Sequence, residues 1–159
     1  MPAAQISIDD PAAPDVRALL ERHLAFAASH SPPEDVHALD AGRLLDPSVT
    51  FFSFRLDGEL LGVGAIKRLD AEHAELKSMH VAESARGRGV GAAILEHLLQ
   101  VARQRGVRRV SLETGTMAAF ESARSLYRRA GLSPCEPFAD YSPSRNSTFM
   151  RLHLDTAPR

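Results

Sequence analysis

Several short stretches of the chain alternate apolar and polar residues, or are rich in β-branched and aromatic residues, and these patterns predict strands. The central three stretches follow one another: residues 49–56 and 60–69 are separated by an Asp-Gly turn, and residues 73–81 come next. An Asp-Gly turn between two such stretches is typical of a β-hairpin. Further strands are predicted for residues 6–8, 108–114, 132–138 and 147–154.

Other stretches repeat their apolar residues every three or four positions, which predicts amphipathic helices. The strongest repeat, residues 92–105, follows a glycine-rich loop and ends before a glycine, a common helix stop. Strands and helices thus follow each other in a mixed α/β order, which predicts a single domain over residues 1–159. The other predicted helices are residues 14–28, 34–45 and 117–131.

Composition and charge narrow the functional classes. The chain has 159 residues, of which 44% are hydrophobic and 25% charged, as is typical of one globular domain. The net charge of −1 provides no basic field, so we expect neither nucleic acid nor a membrane surface as partner. The sequence has no apolar run of about eighteen residues, so we expect no transmembrane helix, and no secretory signal is visible. The single cysteine, Cys135, cannot form an intrachain disulfide, which favours a cytoplasmic protein.

Residues 86–92 read "RGRGVGA" and lie directly before the strongest helical repeat. Glycine weakens regular elements, so its repetition here indicates a need for bare backbone. A helix N-terminus offers unpaired N–H groups and a partial positive charge, and glycines let a phosphate approach them closely. Arg86 and Arg88 would add formal positive charge. The loop is therefore a candidate site for a phosphate-bearing ligand.

One candidate ligand is a nicotinamide dinucleotide, because Gly87, Gly89 and Ala92 fit the relaxed pattern G-x-G-x-x-A and Glu113 stands where a ribose-binding acid belongs. The preceding strand, residues 73–81, is however polar, whereas the first strand of a dinucleotide fold is buried on both faces. The gap before the first glycine is also too long for a tight turn. A nucleoside triphosphate loop is excluded because no Lys-Ser/Thr pair follows the glycines.

The same loop resembles the acetyl-CoA-binding motif of the GNAT superfamily of N-acetyltransferases, whose pattern is Arg/Gln-x-x-Gly-x-Gly/Ala. Arg86, Gly89 and Gly91 match that pattern, and "SLYRRAGL" resembles a second family motif, with Tyr127 in place. The order of elements is similar along nearly the whole chain, and several stretches resemble a bacterial branch, the YsnE-like proteins. The resemblance implies a GNAT-type acyl-CoA N-acyltransferase fold, an α/β fold with a mixed central sheet flanked by helices.

The resemblance also implies that acetyl-CoA is the cosubstrate, with its pantetheine amides paired to the exposed edge of the strand that ends at Val81. One departure concerns turnover: the helix of Tyr127 often carries Asn in the family where this chain has Phe120. A CoA-binding regulatory module without turnover is therefore a further alternative. The candidate cofactor-binding residues are Met79, His80, Val81, Arg86, Gly87, Arg88, Gly89, Val90, Gly91 and Ala92.

Acetyl transfer to an amine needs a base for the amine, stabilisation of the oxyanion and an acid for the leaving thiolate. Glu75 is the first candidate base, because it falls where some GNAT enzymes place a glutamate. Strand alternation puts it on one face with Lys77, Met79 and Val81. Glu113 is the competing base, at a strand end that faces the usual substrate cleft of the family.

Each catalytic candidate has a structural alternative, which for Glu113 is capping or pairing near Thr114. Glu75 could instead form an ion pair with Lys67 or Arg68. Tyr127 resembles the general acid of the family but also lies on an apolar helical face, where it could be a core residue. Cys135 has no obvious histidine partner and is more typical of a small buried hydrophobe than of a nucleophile. No H-x-x-x-H or H-E-x-x-H pattern is present, so we expect no metal site.

The acceptor site should lie opposite the cofactor, between the stretches "HSPPED" and "ADYSPSRN". His30, Tyr141, Arg145 and Asn146 are its candidate substrate-binding residues. An arginine facing the cleft would favour an amine that also bears a carboxylate, such as an amino acid. The sequence thus predicts an acetyl-CoA-dependent N-acetyltransferase that acts on a primary amine of a small molecule by direct attack in a ternary complex. Many members of the family form homodimers, which the resemblance extends to this chain as an expectation.

Overall fold

The computed structural model of the protein describes residues 4–30 and 42–154. Within these residues one sheet of seven strands runs in the order β1-β2-β3-β4-β5-β7-β6. The strands are Ala4–Ile8 (β1), Val49–Leu56 (β2), Glu59–Arg68 (β3), His73–Val81 (β4), Arg109–Gly115 (β5), Ser133–Pro134 (β6) and Ser147–His153 (β7).

The α-helices in the described part of the chain are Pro14–His30 (α1), Val90–Gln104 (α2) and Glu121–Arg129 (α3). All neighbouring strands are antiparallel except β4 and β5, which are parallel. A parallel pair needs a crossover connection, and α2 supplies it. The predicted mixed α/β sheet flanked by helices is therefore confirmed.

The structure corrects three predicted elements. Of the helix predicted for residues 34–45, the first eight residues lie outside the described residues, and Arg43–Leu45 form only a 3-10 turn. The helix predicted for residues 117–131 begins as another 3-10 turn at Ala118–Phe120 before α3. The strand predicted for residues 132–138 shrinks to two residues, because its prolines have no N–H to donate to a ladder.

Helix α2 packs unusually close to β3, at two glycines of that strand. A Cβ atom at Gly62 would lie 2.8 Å from Ile94 Cδ1, and one at Gly64 would lie 2.7 Å from Ile94 Cγ2. The apolar face of α2 places Ile94 and Leu98 in the core at these contacts. The close packing fixes the N-terminus of α2, and hence the glycine loop before it, against the middle of the sheet.

A β-bulge at Ser78 interrupts the alternation of β4. Ser78 has a φ of 56°, and the register passes from Ala65 opposite Lys77 to Val63 opposite His80, so that β4 gains one residue over β3. Partners directly opposite one another share a face. His80 therefore follows Lys77 on the face of Glu75, and the prediction that Met79 and Val81 share that face is wrong.

Strands β4 and β5 diverge soon after they begin. Their register has three pairs and ends with Glu75 opposite Ser111, although both strands continue beyond these residues. The second half of β4 thus keeps β3 on one side and opens toward a cleft on the other. This divergence brings the end of β4 and the start of α2 to the same cleft.

Candidate active site

A cleft of about 640 Å³ opens where β4 and β5 diverge. The glycine loop, α1, the 3-10 turn before α3, α3 itself and Tyr141 complete its walls. The residues predicted for the site that line it are Glu75, Met79, His80, Val81, Arg86, Gly87, Gly89, Val90, Gly91, Ala92, Glu113, Tyr127 and Tyr141. The residues predicted for the site that do not line it are His30, Arg88, Arg145 and Asn146.

The glycine loop owes its shape to two residues in the left-handed region. Gly87 has a φ of 77°, and Gly89, the residue that caps α2, has a φ of 80°. A Cβ atom at either position would meet no atom within 4 Å, so the requirement is for backbone conformation and not for space. The first residues of α2 line the cleft and no side chain caps the helix there, as a phosphate site on its N–H groups requires. Arg86 and Arg88 are both exposed beside it.

His80 lies at the end of β4 against a histidine of α1. The ring centroids of His23 and His80 are 4.8 Å apart. Burial lowers the pKa of His23 to about 4. Burial, with the nearby His23 and two arginines, lowers the pKa of His80 to about 3. Both rings are therefore neutral at neutral pH, and neither adds positive charge to the cleft.

Glu75, Lys77 and Tyr141 form a buried polar network at the point where the strands part. Lys77 Nζ lies 2.9 Å from Glu75 Oε2 and donates a 2.9 Å hydrogen bond to the Tyr141 hydroxyl, which in turn donates to Glu75 Oε2. The side chains of Lys77 and Glu75 are only 9% and 4% exposed. Burial, and next the charge of Glu75, raise the pKa of Tyr141. Tyr141 is thus a neutral phenol that orients the carboxylate.

The ion pair of Glu75 differs from the predicted structural alternative. Lys67 is the register partner of Glu75 on β3, but the salt bridge of Glu75 is with Lys77, two positions further along the same strand. A cation that lines the cleft therefore holds the carboxylate. Sequence reasoning placed Lys77 on this face but assigned it no role.

Tyr127 lies on α3 with its ring 8% exposed and its hydroxyl 4.0 Å from Met79 Sδ. Burial, together with the negative charge of Glu113, raises the pKa of Tyr127 to about 12. The hydroxyl is therefore protonated at neutral pH and available as a proton donor. Glu113, on β5, lines the same cleft and raises the pKa of Tyr141 as well.

Phe120 occupies the turn between β5 and α3, directly above Gly115. A Cβ atom at Gly115 would lie 2.4 Å from Phe120 Cδ2, so only glycine lets the ring rest there. The Phe120 ring contacts Phe26 of α1 edge to face, with centroids 5.4 Å apart. Sequence reasoning missed Phe26, because its place beside Phe120 depends on how α1 packs over the sheet. The aromatic spacing of α1 gave no signal of it.

The remaining predicted acceptor residues lie around the cleft. His30 packs behind the aromatic pair, with its ring 4.4 Å from that of Phe26. Arg145 is exposed, and its carbonyl accepts a 2.9 Å hydrogen bond from Thr116. The Asn146 N–H donates a 3.0 Å hydrogen bond to Ser144 Oγ. These contacts support the loop between β6 and β7 and do not place the side chain of Arg145 in the cleft.

Neither Cys135 nor a group of metal ligands offers reactive chemistry among the described residues. Cys135 is partly buried, and burial raises the pKa of its thiol, which disfavours the thiolate that a nucleophile requires. Among the described residues, no group of three or more histidine, cysteine, aspartate or glutamate side chains could hold a metal ion. Over the same residues, no helix is long and apolar enough to cross a membrane.

Comparisons with known proteins agree with this site. The profile of the acetyltransferase (GNAT) family matches residues 14–132. The N-acetyltransferase YedL of Escherichia coli, described as uncharacterized, is 47% identical over 149 residues, 94% of each chain. The similarly described N-acetyltransferase YsnE of Bacillus subtilis is 46% identical over 94% of this chain and 99% of its own. A crystal structure from Klebsiella pneumoniae, assigned as an acyl-CoA N-acyltransferase, superposes with a TM-score of 0.77 at 27% identity, covering 96% of this chain and 98% of that chain.

The chain therefore belongs to the acetyltransferase (GNAT) family, and its relatives place it among the acetyl-CoA-dependent N-acetyltransferases. The predicted resemblance to the family and to YsnE is confirmed, as are the fold and the class of enzyme. This assignment replaces the dinucleotide alternative that the glycine pattern had raised. The acceptor and the roles of single residues depend on the cleft itself.

Proposed function

We propose that the protein transfers the acetyl group of acetyl-CoA to a primary amine of a small molecule, by direct attack within a ternary complex. The observation that carries the proposal is the cleft at the divergence of β4 and β5, because it joins the glycine loop, the Glu75 network and Tyr127. A cosubstrate that enters along β4 would have its reactive end between a carboxylate and a neutral phenol.

The cosubstrate half of the cleft suits acetyl-CoA. The pyrophosphate would lie on the N–H groups that Gly87 and Gly89 expose at the start of α2. Arg86 lines the cleft and would add charge at the phosphates, whereas Arg88 does not line it and would contribute less. The pantetheine amides would pair with the open edge of β4 at Met79, His80 and Val81, in the manner of an added strand.

The chemical step needs one base and one acid. Glu75, positioned by its ion pair with Lys77, would take a proton from the acceptor ammonium directly or through one water. The amine nitrogen would then attack the thioester carbonyl, and an N–H of the β4 edge would stabilise the oxyanion. When the carbon–sulfur bond breaks, Tyr127 would protonate the departing thiolate. The second proton of the attacking nitrogen would return to Tyr127 through water, and Glu75 would release its own proton to solvent. The products are the N-acetyl amine and free CoA.

Glu113 is the competing base, and glutamine variants separate the two. With an amine substrate and a thiol reagent that reports free CoA, Glu75→Gln should lower kcat/KM at pH 7 and flatten the lower limb of its pH profile. Glu113→Gln should mainly raise KM for the amine. If both variants keep the wild-type profile, neither glutamate is the base, and the amine binds already deprotonated.

The same assay tests the regulatory alternative, in which the protein binds CoA without turnover. Acetyl-CoA binding by calorimetry together with no CoA release from any amine in a broad panel would favour that alternative. The single domain over residues 1–159, the homodimer and the cytoplasmic location remain predictions.

A further inference from the structure

Three aromatic rings line the cleft. Phe26 from α1 and Phe120 from the turn after β5 both line it and contact each other edge to face, with centroids 5.4 Å apart and planes at 80°. Tyr141 adds a third ring on the same cleft, and Phe138 packs behind Tyr141 at 5.1 Å. We call Phe26, Phe120 and Tyr141 the aromatic wall.

The rings of the aromatic wall are held in place but not fully covered. His30 braces both phenylalanines from outside the cleft, with ring centroids 4.4 Å from Phe26 and 6.4 Å from Phe120. Gly115 leaves just enough room for the Phe120 ring. All three rings of the wall nevertheless remain partly exposed. Half-exposed aromatic rings that face a cleft retain apolar surface that a ligand can bury.

The charges around the wall disfavour an acceptor that carries a carboxylate. Glu75 and Glu113 both line the cleft. Lys77, the cation beside them, already forms an ion pair with Glu75 and a hydrogen bond with Tyr141. The other cationic lining residues are Arg86, before the glycine loop, and Arg129, two residues beyond Tyr127. An acceptor carboxylate beside Glu75 and Tyr141 would therefore meet a negative charge and an ammonium that is already engaged.

We infer that the acceptor is a primary amine attached to an aromatic group and lacking a carboxylate, whose ring packs on Phe26 and Phe120. This inference rests on the proposed acetyl transfer and specifies its substrate class. An arylalkylammonium suits the wall in two ways, because its ring can stack and its cation is attracted both by aromatic faces and by the carboxylates. The phenylalanine at position 120, where the family often has asparagine, thus serves the acceptor and not the cosubstrate.

Four amines separate the two claims, since they combine presence and absence of a ring with presence and absence of a carboxylate: phenethylamine, phenylalanine, ethylamine and alanine. With saturating acetyl-CoA, we expect kcat/KM for phenethylamine to exceed that for ethylamine at least about tenfold, as filling an apolar pocket allows. Phenylalanine and alanine should each be poorer substrates than their decarboxylated partners. Equal values for phenethylamine and ethylamine, or better turnover of the two amino acids, would overturn the inference.

Variants of the wall test the same point from the protein side. Phe120→Leu and Phe26→Leu should lower the preference for phenethylamine over ethylamine about three- to tenfold, the contribution of one aromatic pair. Gly115→Ala displaces the Phe120 ring without removing it and should lower the same preference. Phe54→Leu is the matched control, because Phe54 is a partly buried phenylalanine on β2 that does not line the cleft. Unchanged preference in all three wall variants would contradict the inference.

Different results would overturn the aromatic acceptor and acetyl transfer itself. Turnover of ethylamine as fast as phenethylamine removes the aromatic acceptor but leaves acetyl transfer to small amines intact. Absence of CoA release with all four amines, in a protein that binds acetyl-CoA, counts against both.

Discussion

Lys77 Nζ lies 2.9 Å from Glu75 Oε2, two positions away on the same strand, and both side chains are buried inside the cleft. A buried ion pair contributes little net stability, but removal of one partner leaves an uncompensated charge. The pair is therefore best understood through position: Lys77 holds the Glu75 carboxylate at one place in the cleft.

Replacing Lys77 by methionine should test this relationship. Without the ammonium, kcat should fall with little change in acetyl-CoA affinity, because the Glu75 carboxylate loses the contact that holds it in place. The free energy of unfolding should fall by about 3–5 kcal/mol at pH 7. The double variant Lys77→Met/Glu75→Gln, which removes both charges, should recover much of that stability but not the activity. Wild-type kcat in Lys77→Met would show that Lys77 does not position the base.

Tyr127→Phe keeps the buried ring and removes only the hydroxyl. Because the pKa of Tyr127 is about 12, the hydroxyl is protonated and able to donate at neutral pH. We expect kcat to fall about 10- to 1000-fold with little change in acetyl-CoA affinity, the pattern of an interaction made in the transition state. Calorimetry and steady-state kinetics give the two quantities. Wild-type kcat in the variant would reduce Tyr127 to a packing residue.

Gly89→Val should abolish acetyl-CoA binding, because a β-branched residue resists the φ of 80° that turns the loop toward the start of α2. Gly58→Val is the matched control: Gly58 has a φ of 85° in the turn between β2 and β3, and a Cβ atom added at either glycine would meet no atom within 4 Å. Both variants should lose similar stability in denaturant titrations, on the order of 1–2 kcal/mol. Only Gly89→Val should lose binding, and equal affinities in the two variants would refute the proposed phosphate site.

Arginine variants divide the charge contribution at the same loop. Arg86 lines the cleft and Arg88 does not, so Arg86→Ala should weaken acetyl-CoA binding more than Arg88→Ala. A charge-assisted bond at a partly exposed position is worth about 1–2 kcal/mol, and the difference should diminish at high salt. Calorimetric titrations at low and high salt would measure it.

The neutral histidine pair should make the fold sensitive to acid. The pKa of His23 is about 4 and that of His80 about 3, both below the ordinary 6.5, so the unfolded chain binds more protons than the folded protein below about pH 6.5. The free energy of unfolding should therefore fall as pH drops from 6.5 toward 4, by up to about 1.4 kcal/mol per pH unit for each histidine. His23→Phe should flatten this slope in urea titrations, whereas His153→Gln, at an exposed position ending β7, should not. An identical slope in wild type and His23→Phe would contradict the assignment.

Much of the fold could be predicted from the sequence because its signals are local. The alternation in residues 49–56 and 73–81 predicted the bounds of β2 and β4 as they are observed. The Asp-Gly turn predicted the hairpin that joins β2 to β3. The bulge at Ser78 could not be predicted, since no glycine or proline marks it. A period-two pattern carried across it therefore assigned Met79 and Val81 to the wrong face.

The same contrast between local signals and long-range contacts applies to the candidate site. The glycine loop and Tyr127 were predictable because they lie in short contiguous motifs. In the network of Glu75, Lys77 and Tyr141, only the contact between Glu75 and Lys77 lies within one strand. Tyr141 is 64 or more positions away from both, so only the fold brings it to them. The contact of Phe26 with Phe120 likewise depends on how α1 packs over β3 and β4, which no local pattern encodes.

The early divergence of β4 and β5 leaves one edge of β4 without a neighbouring strand inside the sheet. A cosubstrate that pairs with β4 from Met79 to Val81 would act as a short additional strand, so the ligand would complete secondary structure as well as fill a cavity. Amide hydrogen exchange offers a direct view of this, because N–H groups along that edge should become protected when acetyl-CoA binds, while those that β4 shares with β3 should change little. The sheet would then be most completely hydrogen-bonded while the protein holds its acyl donor, and the release of CoA would expose this edge of β4 to water again.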